Sequence, residues 1–469
     1  MNTTHRVIPL QAAPAADPSP LLSPRLKIQP RTVHGRYTNW RWALVWLTQL
    51  VFYGLPWLPW NGRPALLFSL ETRRFYLFDL VLLPQDLVFL SLLLVISALL
   101  LFFVTAIAGR LWCGFACPQT VYTEMFLWLE ARFEGDRPAR LRLDAARWRA
   151  PKLLRRGGKH LAWAALALWT GISFVGWFTP LRDWLPALAG GELGWGVFWA
   201  LFYGGFTYLN AGLLREQVCR HMCPYARFQG SMMDVDTRVV GYDARRGEAR
   251  GRRARGADPK ALGLGDCVDC SLCVQVCPTG VDIRKGLQFD CISCGACIDA
   301  CDKVMDKLGY ARGLVRFATS RALAGDNGPA ATRPRVRVYG LMLLAACTAL
   351  AVGLADRAPF RVDVMRDRGV LAREAGPGWV ENVYRLQVVN ASEKTRLLQV
   401  RVLGLDGAEV VEGARFELPP AAERTLPLNV RAPAGDTGER VRPIRFEFSA
   451  ADGRDAARVE EPSTFLMPR

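Results

Sequence analysis

The 469-residue sequence predicts a mixed membrane protein with five transmembrane helices, a cytoplasmic cysteine-rich domain and a C-terminal β-sandwich. Three observations lead to this fold class. Long apolar stretches alternate with loops of high and low Lys/Arg content. All but one of the 13 cysteines fall into regularly spaced groups, Cys347 being the exception. In the region after residue 355, apolar residues recur at every second position.

The first 41 residues are predicted to form a disordered tail that starts in the cytoplasm. They are polar and proline-rich, and they show no cleavable signal peptide. Beyond the tail, five apolar stretches approach or exceed the length of about 20 residues that crosses a bilayer. The predicted spans are residues 42–60, 87–108, 160–180, 195–214 and 338–355.

The positive charges predict which side of the membrane each loop occupies. The tail holds six Lys/Arg, and the next four intervening segments hold 3, 11, 1 and 21 in chain order. Because basic loops stay in the cytoplasm, the N terminus, residues 109–159 and residues 215–337 are expected there, with the C-terminal region in the periplasm. The net charge of +17 then reflects topology in a bacterial inner membrane. Nucleic acid is not expected as a partner, and the arginine-rich stretch Arg245–Arg255 leaves it only as a minor alternative.

The C-terminal region shows the period of two that half-buried strands require. Apolar and polar residues alternate around positions 384–388, 398–402 and 444–448. Asp406-Gly407 and Asp452-Gly453 are turn signals. Short alternating strands over roughly 100 residues are typical of a β-sandwich, for which a structural or partner-binding role is expected.

These signals divide the chain into five predicted parts. The boundaries are 1–41 for the tail, 42–239 for a four-helix membrane domain, 240–337 for the cysteine-rich domain, 338–355 for the fifth span and 356–469 for the sandwich.

The strongest chemical signal is a pair of cysteine runs between residues 267 and 301. The first has the spacing C-x2-C-x2-C-x3-C-P, and the second repeats it with Asp302 in place of the proline. This is the pattern of bacterial two-cluster ferredoxins, in which the fourth cysteine of each run ligates the other cluster. One [4Fe–4S] cluster is therefore assigned to Cys267, Cys270, Cys273 and Cys301. The second is assigned to Cys291, Cys294, Cys297 and Cys277. A disulfide framework or a zinc site fits this spacing and compartment less well.

Two further motifs share the spacing C-x3-C-P, and each begins a few residues after a predicted span. They contribute Cys113, Cys117, Cys219 and Cys223. Thiolates suit Cu(I), zinc or a third iron–sulfur cluster, and a redox-active dithiol is a further alternative. His221 and Met222 would add ligands suited to copper, whereas the plainest alternative is that these cysteines only pack helices together.

The order of these parts resembles the cytochrome c oxidase accessory proteins of the CcoG/FixG/RdxA type. The resemblance rests on the two C-x3-C-P motifs, the two-cluster ferredoxin-like cassette, the last span and the sandwich, and it covers nearly the whole chain beyond the tail. It implies an immunoglobulin-like periplasmic domain. It also implies reduction of Cu(II) to Cu(I) for the assembly of a cbb-type oxidase, with oxidase subunits or copper chaperones as partners.

Three functions are therefore compatible with these signals. The first is a membrane-bound cupric reductase in which copper binds the C-x3-C-P thiols. The second is a quinol dehydrogenase subunit of a respiratory chain, and the third is a non-enzymatic assembly scaffold. The electron donor is not specified by the sequence, and a homodimer is compatible with it.

Overall fold

A computed structural model describes residues 27–254, 258–259, 261–326, 333–367, 372–434, 440–450 and 458–467. Most of the predicted tail and the Asp452-Gly453 turn lie outside these residues. The chain divides into two units. One contains the chain up to Trp57 together with Leu93–Cys347, and the other contains Leu58–Leu92 and Thr348–Arg469.

Fourteen α-helices occur within the described residues. The first seven are α1 (Arg36–Gly54), α2 (Leu87–Ala108), α3 (Leu111–Phe115), α4 (Pro118–Glu134), α5 (Arg137–Ala145), α6 (Ala150–Val175) and α7 (Leu181–Ala189). The others are α8 (Trp195–Thr207), α9 (Pro224–Met232), α10 (Ala244–Gly247), α11 (Leu272–Gln275), α12 (Ala296–Leu308), α13 (Ser320–Ala324) and α14 (Pro334–Ala355). Two π-helical segments, Tyr208–Leu214 and Val218–Met222, follow α8.

Three helices of the described chain are long and apolar enough to cross a membrane: Pro84–Ala108, Trp195–Leu214 and Pro334–Ala355. They coincide with the second, fourth and fifth predicted spans. Helices α1 and α6, which overlap the other two predicted spans, are not among them. The N-terminal half of α6 carries four Lys/Arg, and α1 includes Arg36 and Arg41, which lowers the mean hydropathy of both helices.

The predicted extent of the disordered tail is wrong at its C-terminal end. Helix α1 begins at Arg36, and Asp299 of α12 receives hydrogen bonds from the backbone N–H and the hydroxyl of Thr38, both at 2.8 Å. A carboxylate at a helix N-terminus satisfies free N–H groups and complements the helix dipole. The sequence of the tail alone could not show this, because the capping carboxylate lies 261 residues further along the chain.

A buried ion network joins α4, α5 and α6 within the first unit. The carboxylate of Glu130 is fully buried and lies 3.2 Å from Arg140, 2.8 Å from Arg215 and 3.6 Å from Lys159. Lys159 also contacts Glu134 at 2.8 Å. Burial alone would raise the pKa of Glu130, but the charges of Arg215, Lys159 and Arg140 hold it below its usual range.

The second unit contains the predicted β-sandwich, built from two antiparallel sheets. Its strands are β8 (Phe360–Arg366), β9 (Arg373–Glu374), β10 (Trp379–Asn390), β11 (Arg396–Leu403), β12 (Glu409–Glu412), β13 (Arg415–Leu418), β14 (Glu423–Pro433), β15 (Val441–Ala450) and β16 (Arg458–Leu466). One sheet has the order β12-β14-β10-β8 with β9 also on β10, and the other has the order β13-β11-β15-β16.

The core of the sandwich confirms the predicted alternation. Tyr384, Leu386 and Val388 are fully buried, as are Phe446 and Phe448 on the facing sheet. The two sheets are also joined by the hydroxyl of Tyr384, which donates a hydrogen bond to the carbonyl of Thr464 at 2.9 Å.

Seven short strands lie outside the sandwich. They are β1 (Pro59–Trp60), β2 (Arg63–Pro64), β3 (Leu66–Ser69), β4 (Arg74–Leu77), β5 (Leu80–Leu82), β6 (Arg238–Tyr242) and β7 (Val315–Thr319). Strands β3, β4 and β5 form a small sheet that is attached to the sandwich by a bridge from Leu80 to Ser392. A half-buried ion pair between Arg63 and Glu393, at 2.6 Å, lies in the same unit.

Candidate functional site

The first cysteine cavity contains the four thiols that the spacing assigns to one cluster. Its empty volume is about 390 Å3, and Cys267, Cys270, Cys273 and Cys301 all line it. The other walls are largely apolar and include Leu272, Val304, Met305 and Leu314. Cys301 comes from α12, 28 positions after Cys273, and the fold brings it to the first run.

The second cysteine cavity contains the four thiols that the spacing assigns to the other cluster. Its empty volume is about 350 Å3, and it is lined by Cys277, Cys291, Cys294 and Cys297, with Cys273 also at its wall. Val281 donates its backbone N–H to the sulfur of Cys277 at 3.3 Å. Such a bond stabilises a thiolate, as a cluster ligand requires.

The two cysteine runs share a backbone conformation that wraps the chain around each cavity. Asp269 and Ser271 have positive φ in the first run, and Ser293 and Gly295 have positive φ at the equivalent places in the second. Each pair flanks the second cysteine of its run, so the backbone reverses there. The third cysteine of each run then enters a helix, α11 or α12.

The arrangement of the thiols fits a cluster of several atoms better than a single ion. Within the described chain, no group of three or more His, Cys, Asp or Glu side chains is close enough to hold one metal ion. The thiols instead surround a volume, as the corner ligands of a cubane do. Burial raises the pKa of Cys291 and of Cys301 to about 12. These thiols would be protonated at neutral pH unless a metal displaced their protons.

The two sites differ in their access to solvent. Cys270 in the first cavity is exposed, whereas Cys294 in the second is buried. An electron carrier in solution could therefore approach the first site more closely than the second.

The two C-x3-C-P motifs have the same local structure. Cys117 is the N-cap of α4 and Cys223 is the N-cap of α9, and the following proline occupies the first turn in both helices. Proline suits this position because the N–H it lacks would have no partner inside the helix. Cys113 lies in α3, and Cys219 lies in the second π-helical segment.

The four thiols of these motifs lie within electrostatic range of one another. Burial, together with the smaller effects of Cys117, Cys113 and Cys223, raises the pKa of Cys219 to about 12. Burial likewise raises the pKa of Cys113 to about 11, with Cys117 adding to the effect. His221 and Met222, which the sequence offered as copper ligands, are both exposed. We refer to the four cysteines below as the four-thiol site.

The first C-x3-C-P motif packs directly on the second cysteine cavity. A Cβ on Gly114 would lie 2.6 Å from the carbonyl oxygen of Ile292 and 2.9 Å from the Cα and N of Cys294. Cys113 also packs against the hydrophobic cluster that contains Cys294. This contact depends on the absence of a side chain at position 114, and the sequence motif does not reveal it.

Arg110 lies beside both the first C-x3-C-P motif and the second cysteine cavity. It is buried, and it donates hydrogen bonds to the carbonyls of Phe289, Cys291 and Ala226. Among the described residues it forms no ion pair with a carboxylate. Its charge lowers the pKa values of both Cys113 and Cys291, although burial remains the larger effect on each.

Three regions of the chain match known protein families. Residues 214–320 match a 4Fe-4S dicluster domain, and residues 90–134 match a 4Fe-4S binding domain. Residues 350–468 match the family described as "IG-like fold at C-terminal of FixG, putative oxidoreductase". The nitrogen fixation protein FixG of Rhizobium meliloti is 36% identical over 428 residues, which cover 83% of this chain and 81% of the relative.

The chain belongs to the FixG/RdxA family. RdxA of Cereibacter sphaeroides is 36% identical over 420 residues, covering 86% of this chain and 88% of that protein. RdxB of the same organism is 36% identical over 404 residues, covering 83% and 84%. The family resemblance predicted from the order of the parts along the chain is thus confirmed, and this member of the family is an iron–sulfur electron-transfer protein.

Proposed function

We propose that this protein reduces Cu(II) to Cu(I) at the four-thiol site, using electrons from two [4Fe–4S] clusters, in support of cbb-type cytochrome c oxidase assembly. The single observation that carries the proposal is the contact of Gly114 with Cys294. It brings a motif with two thiols directly against the loop that supplies a ligand to the second cluster.

The eight cysteines of the two cavities would hold the clusters. A bound [4Fe–4S] cluster supplies one-electron redox chemistry. The chain contributes thiolate ligands, apolar walls that limit access of water, and Cys273, which belongs to the first ligand set and also lines the second cavity. A shared wall keeps the two sites close enough for electron transfer between them.

Copper is the substrate in this proposal. A cavity of about 360 Å3 of empty volume reaches Cys219 and is also lined by Glu124 and Glu216. Oxygen ligands suit Cu(II), and thiolates suit Cu(I). Cu(II) would therefore arrive beside the carboxylates, take one electron and be retained as Cu(I) by a pair of the thiolates, since no three of the described side chains lie close enough together to hold one ion.

The membrane arrangement is part of the same proposal. The Lys/Arg distribution favours five spans, with the N terminus and the clusters in the cytoplasm and the sandwich in the periplasm. Residues 356–469 contain no Cys or His. The sandwich therefore suits contact with oxidase subunits or copper chaperones better than it suits copper binding.

The test compares the wild type with Cys219→Ser/Cys223→Ser. Both proteins are purified anaerobically with their clusters and reduced, and excess reductant is removed before Cu(II) is added with a Cu(I)-specific chelator present. The wild type should form one Cu(I) for each electron lost by the clusters. The variant should keep its clusters and form Cu(I) at least tenfold more slowly. Equal rates would exclude the four-thiol site as the place of reduction.

A quinol-linked electron carrier is the second candidate, and two observations favour it. The 4Fe-4S binding domain matched at residues 90–134 includes Cys113 and Cys117, which would place a third cluster at the four-thiol site. A cavity of about 700 Å3 of empty volume, lined by Trp42, Trp128 and His34, also adjoins Pro278 beside the second cluster site. About twelve rather than eight iron atoms per chain, with cluster reduction by a quinol analogue, would favour this candidate.

A further inference from the structure

We propose that the segment 244–254, together with Cys270, forms the docking surface for a small acidic protein that delivers single electrons to the first cluster site. We call residues 244–254 the arginine segment. The inference rests on the proposed function in one respect, since it names the class of donor for the same electron path. Its experiment is separate from the copper assay.

The arginine segment is anchored to the start of the first cysteine run. The N–H of Gly251 donates to the carbonyl of Cys267 at 3.3 Å, and the N–H of Gly265 donates to the carbonyl of Ala249 at 2.9 Å. The side chain of Arg253 adds hydrogen bonds to the carbonyls of Gly265 and Asp266, at 2.6 and 2.9 Å. The segment therefore has a fixed position beside the first cluster site.

The arginines of this segment have two different roles. Arg246 and Arg253 bond carbonyls within the domain and hold the segment in place. Arg245, Arg250 and Arg252 are exposed. The segment carries five arginines and one acidic residue, Glu248, which pairs with Arg250 at 3.1 Å. The exposed face of the arginine segment consequently has a net positive charge, and Asp269 beside Cys270 is paired with Arg284.

The exposed thiol determines where an electron can enter. Cys270 is the one exposed cysteine among the eight assigned to the clusters, all of which lie in the described chain. The volume of the first cavity would be occupied by the cluster itself, so a donor must approach from outside at this surface. A positive surface beside the entry point attracts negatively charged carriers and raises their association rate.

Electron transfer from the donor to the first cluster requires neither a proton transfer nor the formation of a covalent bond. The donor is an acidic protein with a one-electron iron–sulfur or flavin group. It loses one electron in each encounter, and the first cluster gains that electron. Two encounters therefore supply the two electrons that the two clusters can hold.

The experiment measures the rate at which a reduced acidic [2Fe–2S] ferredoxin reduces the oxidised full-length protein in detergent, by stopped flow. The variant is Arg250→Glu/Arg252→Glu, and the matched control is Arg401→Glu/Arg415→Glu, which makes the same charge change at exposed sandwich positions. The wild-type rate should fall as salt is raised. At low ionic strength the variant should be about tenfold slower, and the control should equal the wild type.

Two further measurements separate an electrostatic effect on docking from damage to the clusters. Reduced methyl viologen, a cationic donor, should react with the variant at least as fast as with the wild type, because the sign of the attraction is reversed. If the charge-reversed protein loses its clusters, Arg250→Gln/Arg252→Gln should show a smaller decrease in the ferredoxin rate with normal iron content.

Equal ferredoxin rates in the variant and the control, with the same salt dependence, would overturn the inference. It would also be overturned if the variant lost binding to duplex DNA or to anionic vesicles while its ferredoxin rate stayed unchanged, which would assign the segment to those partners. Chemically reduced variant should still reduce Cu(II) at the wild-type rate. If the wild type itself does not reduce Cu(II), the proposed function fails, and the docking surface is judged on the ferredoxin rates alone.

Discussion

Gly114 lies against the backbone of Cys294, so closely that a Cβ on Gly114 would come within 2.9 Å of the Cα of Cys294. Gly114 is part of a C-x3-C-P motif, and Cys294 is an assigned ligand of the second cluster. The contact makes two motifs that are separate in the sequence neighbours in the fold, as the proposed electron path requires.

Replacing Gly114 with Ala should separate the two motifs. The new methyl group meets backbone atoms, which cannot rotate away as a flexible side chain can. The expected result is at least a tenfold decrease in the rate at which Cu(II) re-oxidises the reduced clusters, measured by stopped flow. Gly157→Ala is the control, because Gly157 lies in α6 with nothing within 4 Å of an added Cβ. An unchanged rate in Gly114→Ala would show that electrons do not depend on this contact.

Replacing Arg110 with Ala should lower the reduction potential of the second cluster. Arg110 is a buried cation bonded to the carbonyl of Cys291, and a nearby positive charge stabilises the reduced, more negative state. The expected decrease is about 60 mV, which corresponds to a tenfold change in the equilibrium of a one-electron couple. An EPR redox titration measures it. Arg110→Lys keeps the charge and should retain most of the potential, whereas equal potentials in all three proteins would contradict this role.

Single cysteine replacements should remove one cluster at a time. Cys294→Ser is expected to lower the iron content from about eight to about four per chain and to leave the EPR signal of the first cluster. Cys270→Ser should lower the iron content by the same amount and leave the EPR signal of the second cluster instead. Cys347→Ser is the control, because Cys347 lies in α14 away from both cavities, and its iron content should be that of the wild type. Loss of all iron in both ligand variants would mean that the sites do not load independently.

The ion network around Glu130 predicts a dependence of stability on pH. Because three cations hold the pKa of Glu130 below its usual range, its contribution is present above the usual pKa and is lost as the pH falls through the lowered value. Glu130→Gln leaves buried cations without their partner and should cost about 3–5 kcal/mol near neutral pH. Thermal unfolding measures this loss. The exposed Glu412→Gln should be neutral, and the difference between wild type and Glu130→Gln should narrow below about pH 4.

The cysteine spacing predicted which thiols share a cavity, because ligand geometry fixes a local pattern. Cys301 and Cys277 lie in the cavities that the crossed assignment expects. The sandwich strands could be predicted equally well, because buried residues such as Leu386 and Phe446 must alternate with polar residues if one face of a strand is to be buried. In both cases the signal is carried by residues close together in the chain.

Long-range contacts could not be predicted in the same way. The carboxylate that caps α1 belongs to Asp299, and the backbone that Gly114 meets belongs to Ile292 and Cys294. The short strands β3, β4 and β5 were also missed, because their apolar residues run consecutively and show no clear period. Such features depend on which segments meet in the folded chain, and a single sequence gives no signal for that.

The most direct test of the central claim is a single-turnover measurement on anaerobically purified, cluster-loaded protein. The reduced protein is freed of reductant and mixed with Cu(II), while cluster oxidation and Cu(I) formation are followed together. We expect both to proceed at the same rate, with one Cu(I) formed for each electron released. Clusters that stay reduced in the presence of Cu(II), or that are oxidised without forming Cu(I), would contradict copper reduction by this protein.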